Sequence, residues 1–473
     1  MAIGFHIRQR GSTVAREVVG GLTTFMAMSY ILFVQPAVLA KTGMNPDGVF
    51  MATCIASAVA CIAMGVLANY PIALAPGMGE NFFFVFTLCG VGAAAGAFKL
   101  SWQEAMALTV SVGVVFVLLA KFGVRSMLLN SIPDALKSGI AAGIGLFIAL
   151  IGFEWGNLIQ PNPATFVSLA DLGGNYVAAL TLGGIGITLA LMAFGVRGAI
   201  LLGILATTAA TWGVGRIWGV GAVTFQGIVG LPGGLGDTAS GFIGGFGSLG
   251  EKLLSSDAAQ VLTFGFILLF MDMFDTVGTL VAVGSRADLM AKDGKLPGAE
   301  RALTADALGT IAGGCLGTST ITSYIESITG VAAGARTGLA AVVTGLCMLA
   351  ALFFQPLVKM IGGGVAVGTM VGGDPILRYP MIAPALILVG AMMMRAMRQV
   401  KWDDITEALP AFLAMAGMAF TFSIATGIAI GFVSYAFAKL VSGKARQCPA
   451  VVYVFAALFV AQYAVGLMTG ALR

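Results

Sequence analysis

The sequence predicts an all-α polytopic membrane protein of about fourteen transmembrane segments, arranged as two inverted seven-helix repeats. Charged residues make up only 10% of the 473 residues, whereas soluble domains carry about 25%. Apolar runs of roughly 20 residues recur along the chain, separated by short charged or Pro/Gly-rich joints. The two halves also keep the same order of features, which is the third observation behind this fold class.

The uncharged runs give the boundaries of the candidate spans. In chain order they lie at 18–40, 48–68, 72–98, 105–120, 138–153, 175–195, 198–215, 258–284, 303–318, 319–334, 338–357, 381–394, 408–424 and 425–438. The first run is too long for a signal-peptide core, so we expect it to be retained as the first span. A last apolar run, 449–469, either crosses the membrane or lies against the bundle, and the sequence leaves both open.

Basic residues test this count, because cytoplasmic loops are enriched in Lys and Arg. With the N-terminus in the cytoplasm, 17 of the 25 basic residues fall at joints on the cytoplasmic side; they are Arg8, Arg10, Arg16, Lys121, Arg125, Arg197, Arg286, Lys292, Lys295, Arg301, Arg336, Arg395, Arg398, Lys401, Lys439, Lys444 and Arg446. The loop 221–257, predicted outside, is nearly free of them. We therefore expect a multi-pass protein of the cytoplasmic (inner or plasma) membrane.

Internal repetition appears when the chain is shifted by 245 residues, so that Gly145 falls on Gly390. The stretch "GMGENFF" (77–83) then falls on "TSYIESI" (322–328). Each half holds seven predicted spans. Because seven is odd, the second half enters the membrane upside down relative to the first, which is a layout common among secondary transporters.

Two segments cannot be continuous helices. "NYPIALAPGMGENFFFVFT" (69–87) carries two prolines and two glycines, and "GGCLGTSTITSYIESITGVAAGA" (313–335) is crowded with Ser and Thr. Paired breaks at corresponding positions of two repeats point to a transporter's binding site. We expect half-helices that begin near Asn81 and near Glu326. The alternative is a pair of re-entrant turns that serve packing alone.

Three carboxyl groups are the clearest acids within predicted spans. Asp272 and Asp275 stand three residues apart in "FMDMFDTVGTL" (270–280), and Glu326 lies in the second broken segment. Ionisable groups in the membrane are costly and usually functional, and paired carboxyls in a poorly hydrated site favour uptake of a proton. The alternative is an aspartate satisfied by hydroxyls or helix N-termini. Two further acids are interpreted differently. Glu80 lies in the first broken segment beside Asn81 but could point to water outside, so its role stays open, and Asp306 is expected to cap a helix.

Composition excludes several function classes. The net charge of +4 does not suggest a nucleic-acid partner, and the only histidine, His6, lies in the polar N-terminal tail. The six cysteines lack metal-ligand spacing, and no nucleophile motif or nucleotide-binding loop is present. We therefore expect neither an enzyme nor a metal or organic cofactor.

Five stretches resemble one known family. They are "GLTTFMAMSYILFVQP", "APGMGENFFF", "FMDMFDTVGTL", "LTADALGTIAGGCLGTSTITSYIESITGVAAGARTGL" and "EALPAFLAMAGMAFTFSIATGIAIGFVSY". Together, over residues 8–440, they resemble the AzgA-like purine permeases within the nucleobase–cation symporter group that includes the uracil permease. Glu80 and Gln35 depart from this pattern, which usually has Leu and Asn there.

The resemblance implies a uracil permease-like fold of a core and a gate domain, with short extended stretches in spans 3 and 10. Its domains would be a cytoplasmic tail (1–17), the core (18–130 and 258–375), the gate (131–220 and 376–440), an outer loop (221–257) and a C-terminal apolar segment (441–473).

The resemblance also implies site residues. Asp275, Glu326 and Asn81 would contact the base, and Asp272, Asp275 and Glu326 would serve proton coupling. Aromatic residues near the breaks are candidates for stacking or further contact, namely Phe82, Tyr324 and Tyr30.

These expectations describe a secondary active importer of hypoxanthine, guanine or adenine by proton symport, with sodium left open as the coupling ion. Its partners would be the purine base and membrane lipid, and a homodimer stays open. Alternatives are an uncoupled facilitator or channel and an anion transporter of the same fold. The paired carboxylates argue against the anion transporter.

Overall fold

The computed structural model describes residues 5–92, 98–121, 132–218, 225, 227–291, 296–369 and 375–469. The helices in chain order are α1 (Val14–Met28), α2 (Ile31–Leu39), α3 (Pro46–Ala63), α4 (Met78–Phe82), α5 (Trp102–Lys121), α6 (Asp134–Trp155), α7 (Tyr176–Ala193), α8 (Ala199–Trp218), α9 (Gly241–Leu253), α10 (Ala258–Arg286), α11 (Ala299–Leu316), α12 (Ser327–Ala332), α13 (Gly338–Ala351), α14 (Gln355–Gly362), α15 (Ala383–Met393), α16 (Ile405–Phe420), α17 (Ile424–Val441) and α18 (Ala450–Thr469). The strands are β1 (Leu74–Pro76), β2 (Ile159–Asn162), β3 (Phe166–Leu169), β4 (Ile321–Ser323), β5 (Val365–Thr369) and β6 (Pro375–Arg378).

The predicted spans coincide with these elements, and the prediction of an all-α polytopic membrane protein is confirmed. Nine helical segments of the described residues are long and apolar enough to cross a membrane. The first span is α1 followed directly by α2, and the second continues from α3 into a π-helical segment, Met64–Ala68. The basic residues Arg125, Lys292 and Lys295, and the predicted boundary at 130/131, lie outside the described residues.

The helices pack in two groups. In one group α3 lies against α13 and α11, while α1 packs on α13 and α5 packs on α11. In the other group α6 packs against α15 and α16, α16 against α17, and α7 against α8. The division into a core and a gate domain, with its boundaries, stays a prediction.

The two broken spans meet at β1 and β4. These strands pair antiparallel, with Leu74 opposite Ser323 and Pro76 opposite Ile321, and all their residues are buried. Non-helical backbone at membrane depth must find hydrogen-bond partners within the protein. Here the backbones of β1 and β4 supply these partners to each other. The helix α4 begins at Met78 and α12 at Ser327, close to the predicted starts near Asn81 and Glu326.

Gly145 and Gly390, which the sequence shift aligned, touch in the structure. A Cβ atom at Gly145 would lie 2.8 Å from the carbonyl oxygen of Gly390 and 2.6 Å from Cβ of Met393. Any side chain at either position would therefore force α6 and α15 apart. The contact joins two positions that the 245-residue shift aligns, and the inverted repeat itself stays a prediction.

The structure adds to the prediction in two segments, the predicted outer loop (221–257) and the last apolar run (449–469). The outer segment 221–257 is not only loop, because it contains the helix α9, in which the backbone at Gly245 lies directly against that of Gln103 on α5. Glycine permits this close approach, which hydropathy alone does not reveal. The last apolar run forms α18, which packs on α17 and stacks Phe455 on Phe266 with ring centroids 3.7 Å apart.

Candidate functional site

The predicted site residues converge where the junction of α1 and α2, the β1–α4 break, the middle of α10 and the β4–α12 break meet. Glu326 directly precedes α12, and its carboxyl group is almost fully buried. The hydroxyl group of Tyr30 donates a hydrogen bond of 2.9 Å to Oε1 of Glu326. The hydroxyl group of Tyr324 donates to the carbonyl oxygen of Pro76 at 2.6 Å, so it ties the two breaks together.

The two tyrosines form one side of this arrangement. Their ring centroids are 6.4 Å apart and the ring planes are inclined by 38°. Tyr30 and Tyr324 are both buried. A buried tyrosine hydroxyl requires a polar partner, and both have one, so their orientations are fixed before a ligand binds.

Asp275 differs from the other acids because its side chain is exposed although it lies well inside α10. Oγ1 of Thr322 donates to its Oδ2 at 3.5 Å, and the Asp275 carboxyl group interacts electrostatically with that of Glu326. The neighbouring residue Thr276 is fully buried. The accessible Asp275 carboxylate is thus available to a ligand, beside the buried Glu326.

Asp272 lies one turn before Asp275 and is fully buried. Oγ1 of Thr310 donates to its Oδ2 at 2.9 Å, while Oδ1 has no hydrogen-bond partner. A buried carboxyl group with one satisfied oxygen is a costly arrangement. Its retention suits a group that exchanges a proton rather than one held only for packing.

Asn81 and Phe82 lie on α4 and are fully buried. Oδ1 of Asn81 accepts a hydrogen bond from the hydroxyl group of Ser319, and Nδ2 of Asn81 has no partner. The ring of Phe82 stacks on Phe86, with centroids 6.1 Å apart and planes inclined by 9°, and meets Phe147 edge-on. Phe82 therefore belongs to an aromatic cluster and presents no free face to a ligand in this structure.

Cations do not neutralise the central acids. Across the described ranges, the ion pairs lie elsewhere, and none involves Asp272, Asp275 or Glu326. The same residues contain no group of three or more His, Cys, Asp or Glu side chains placed to hold a metal ion.

A model of the Permease family (Xan_ur_permease) matches residues 15–430. The chain belongs to this permease family. Among its relatives, the Putative permease MJ0326 of Methanocaldococcus jannaschii is 41% identical, with 97% of each chain covered. The Guanine/hypoxanthine permease PbuG of Bacillus subtilis is 40% identical over 96% of this chain and 98% of its own. The Adenine permease AdeQ of Escherichia coli is 39% identical over 96% and 94%.

Solved structures show the fold of the permease. The transmembrane domain of the cyanobacterial bicarbonate transporter BicA aligns with a TM-score of 0.58 at 12% identity, over 88% of this chain and 97% of that one. Murine Slc26a9 in its inward-facing state gives 0.57 at 11% identity, over 90% and 68%. At such identities the likeness concerns the fold alone. The relatives are permeases, as expected for a transporter rather than an enzyme.

The structure decides one open position and overturns one expectation. Glu80, whose role the sequence left open, is buried on α4, and its carboxyl group interacts electrostatically with that of Asp275. Asp306 does not cap a helix; it is buried within α11 and accepts hydrogen bonds from Thr276 (2.7 Å) and Ser323 (3.3 Å). Hydropathy placed Asp306 near a helix start and gave no information about the face that it occupies.

The sequence did contain a signal for this part of the site. Asp272 and Thr276 are four residues apart on α10, and Asp306 and Thr310 are four apart on α11, so each pair shares a helix face. In the permease the two faces meet antiparallel: Thr310 bonds Asp272, and Thr276 bonds Asp306. The matched spacing of acid and hydroxyl on consecutive spans predicts such a pairing.

Proposed function

We propose that this permease imports purine nucleobases, namely hypoxanthine, guanine or adenine, across the cytoplasmic membrane by proton symport, with its N-terminus in the cytoplasm. One observation carries the proposal. The Glu326 carboxyl group, oriented by Tyr30, lies beside the accessible Asp275 carboxyl group between two broken spans, and no basic side chain of the described part of the chain pairs with either.

The chemistry of this pair suits a heterocyclic base. Carboxylate oxygens accept hydrogen bonds from ring N–H groups, and hydrogen bonds to ionised groups are stronger than neutral ones. The first turn of α4 offers backbone N–H groups to ring acceptors, whereas the first three N–H groups of α12 already bond the carbonyl oxygens of Tyr324, Ile325 and Glu326. An anionic substrate would meet two carboxyl groups and no described cation, which disfavours the anion transporter.

Proton coupling follows from the missing counter-charge. Two neighbouring carboxyl groups in a poorly hydrated site do not both stay ionised without a cation. One of the two, Asp275 or Glu326, therefore holds a proton while the other, ionised, accepts hydrogen bonds from the N–H groups of the base, so that proton and base are carried together. Asp272 is assigned to coupling because it lies on the same helix without access to the ligand. Binding of base and proton is then linked in one site.

The relatives support the nucleobase assignment, since they include permeases named for guanine and hypoxanthine and others named for adenine. Alternating access would move the core (18–130 and 258–375) against the gate (131–220 and 376–440). Movement of one repeat group against the other around a fixed site is typical of transporters built this way.

Uptake in cells that lack their own purine permeases tests the proposal. Labelled hypoxanthine, guanine, adenine and uracil are supplied with and without a proton uncoupler. We expect accumulation of at least one purine, abolished by the uncoupler and competed by unlabelled purines, and little uracil uptake. Equilibration without accumulation would identify a facilitator. No uptake of any base by well-expressed, membrane-inserted protein would refute the substrate class.

A further inference from the structure

A buried hydrogen-bond chain links the first span to α4 through the segment between α11 and β4. Nε2 of Gln35 donates to Oγ1 of Thr318 at 2.9 Å and to Oγ of Ser319 at 3.2 Å. The hydroxyl group of Ser319 donates in turn to Oδ1 of Asn81. All four side chains are at most 1% exposed, so water does not compete for these bonds.

The proton count along this chain fixes the orientation of the Asn81 amide. A serine hydroxyl group has a single proton to donate. Gln35 donates to the Ser319 oxygen, and among the bonds of this hydroxyl group Asn81 is the remaining partner that can accept its proton. If Asn81 turned its amide nitrogen toward Ser319 instead, that proton would have no acceptor among these partners, so Asn81 turns its carbonyl oxygen toward Ser319. The reverse orientation requires both amides to turn together.

The amide nitrogen of Asn81 is left without a partner. Nδ2 is buried and has no hydrogen-bond partner among the residues that the structure describes, and the same holds for Oε1 of Gln35 at the other end of the hydrogen-bond chain. An unsatisfied buried donor costs about 1–3 kcal/mol, and a ligand acceptor would remove this cost. Asn81 lies next to Glu80, whose carboxyl group interacts electrostatically with that of Asp275, so the free donor lies on the half-helix that borders the candidate site.

A donor fixed in this way distinguishes two kinds of purine. Hypoxanthine and guanine carry a carbonyl acceptor at position 6, whereas adenine carries an amino donor there. A site that presents a buried polar group rejects the analogue that leaves it unpaired. Sequence identity does not choose between these substrates, because relatives named for each kind are equally similar to this chain.

We propose that Ser319 is a positioning residue that holds Asn81 as a hydrogen-bond donor to the base, and that this arrangement selects 6-oxopurines over the 6-aminopurine adenine. The inference rests on the proposed function, because it concerns the ligand of the same site. Gln35 takes part by setting the direction of the chain.

The test compares the uptake efficiency (Vmax/KM) of hypoxanthine and of adenine in Ser319→Ala and in the unchanged protein. We expect Vmax/KM of the unchanged protein to be higher for hypoxanthine than for adenine by about tenfold or more. In Ser319→Ala this ratio is expected to fall about tenfold, which corresponds to the loss of one hydrogen bond. Ser319→Thr retains the hydroxyl group and is expected to retain the preference. Ser57→Ala is the matched control, because Ser57 is buried and its hydroxyl group has no partner.

Gln35→Glu supplies an independent arm. A carboxylate at position 35 accepts from Ser319, so Asn81 then donates to Ser319 and turns its carbonyl oxygen toward the base. The preference is expected to move toward adenine. If Ser319→Ala does not reach the membrane, the preference for hypoxanthine over adenine is measured in Gln35→Glu and in Ser319→Cys instead. The thiol group at position 319 donates only weakly, so Ser319→Cys is expected to lose the preference as Ser319→Ala would.

The outcomes separate this inference from the proposed function. A protein that prefers adenine, or a Ser319→Ala variant that accumulates purines with an unchanged preference, would overturn the role of Ser319. Absence of any purine accumulation by the unchanged protein would instead refute the proposed function.

Discussion

The hydroxyl group of Tyr30 donates a hydrogen bond of 2.9 Å to the Glu326 carboxyl group, across 296 residues of sequence. The bond joins the first span to the half-helix α12 and fixes the acid that we assign to the ligand. Because Tyr30 lies at the junction of α1 and α2, movement of either helix would change the orientation of Glu326. Ligand affinity is thus linked to the packing of the first span.

Tyr30→Phe should weaken purine binding with little effect on folding. It removes one hydrogen bond to a carboxyl group, which is worth about 1.5–3 kcal/mol, so we expect KM for uptake to rise about tenfold or more. Initial rates over a range of purine concentrations measure this. Tyr453→Phe serves as control, because the Tyr453 hydroxyl group donates to the carbonyl oxygen of Ala445 and interacts with the Cys448 side chain, both outside the candidate site. Unchanged KM in Tyr30→Phe would remove Glu326 from the ligand site.

Asp272→Asn should separate transport from accumulation. The substitution keeps the shape and the bond from Thr310 but removes an exchangeable proton. We expect exchange of labelled for unlabelled purine to persist while the steady-state accumulation falls at least about tenfold. Thr310→Val, which leaves the acid without its donor, should reduce accumulation less. Normal accumulation by Asp272→Asn would assign Asp272 to structure alone.

Gly390→Ala should destabilise the bundle. A Cβ atom at Gly390 would lie 2.9 Å from Cβ of Ala149 and closer still to the backbone of Gly145, and overpacking of this kind costs about 1–3 kcal/mol. The thermal stability of detergent-solubilised protein measures the effect. Gly183→Ala is the matched helical control, because nothing lies within 4 Å of a Cβ atom there. Equal melting temperatures for the two variants would contradict the close packing of α6 and α15.

Lys439→Met should be among the most destabilising changes near the cytoplasmic end. Lys439 is counted with the cytoplasmic basic residues in the sequence, yet its side chain is only 2% exposed. It pairs with Glu407 at 2.5 Å and donates to Thr406 at 2.9 Å. Removal of one partner of a buried pair costs about 3–5 kcal/mol.

The thermal stability of detergent-solubilised protein measures the loss in Lys439→Met, and a double variant and a control test its cause. Lys439→Met combined with Glu407→Gln should recover part of the loss, because no unpaired charge then remains. Lys444→Met should change stability little, since Lys444 and Asp404 form a more exposed pair. A double variant less stable than Lys439→Met alone would contradict the assignment of the loss to an unpaired Glu407.

Much of the fold followed from the sequence, because lipid imposes simple rules on length and hydropathy. The runs at 258–284 and 138–153 became α10 and α6 with ends shifted by a few residues. Proline and glycine before Asn81 marked the first break, and Ser/Thr crowding marked the second. The helix α9 was not predicted, because its glycines reduce helix propensity. The close contact of α9 with α5 requires glycine at position 245, and the sequence alone does not show that contact.

The site was predicted in part. Acids within apolar runs stand out, so Asp275 and Glu326 were identified together with their spans. Ring orientation depends on packing between distant segments, and Phe82 was therefore assigned to the ligand although it packs on Phe86 and Phe147. The partners of Asn81 were missed for the same reason, since Ser319 lies 238 residues away.

The central claim is that the acids between the two breaks couple purine entry to protons. Purified protein in sodium-free liposomes, with labelled hypoxanthine outside and an imposed pH gradient, acid outside, tests it most directly. We predict accumulation above the external concentration that collapses when the gradient is dissipated, and none in Asp275→Asn or Glu326→Gln. Accumulation independent of the gradient, or undiminished in both variants, would contradict the account.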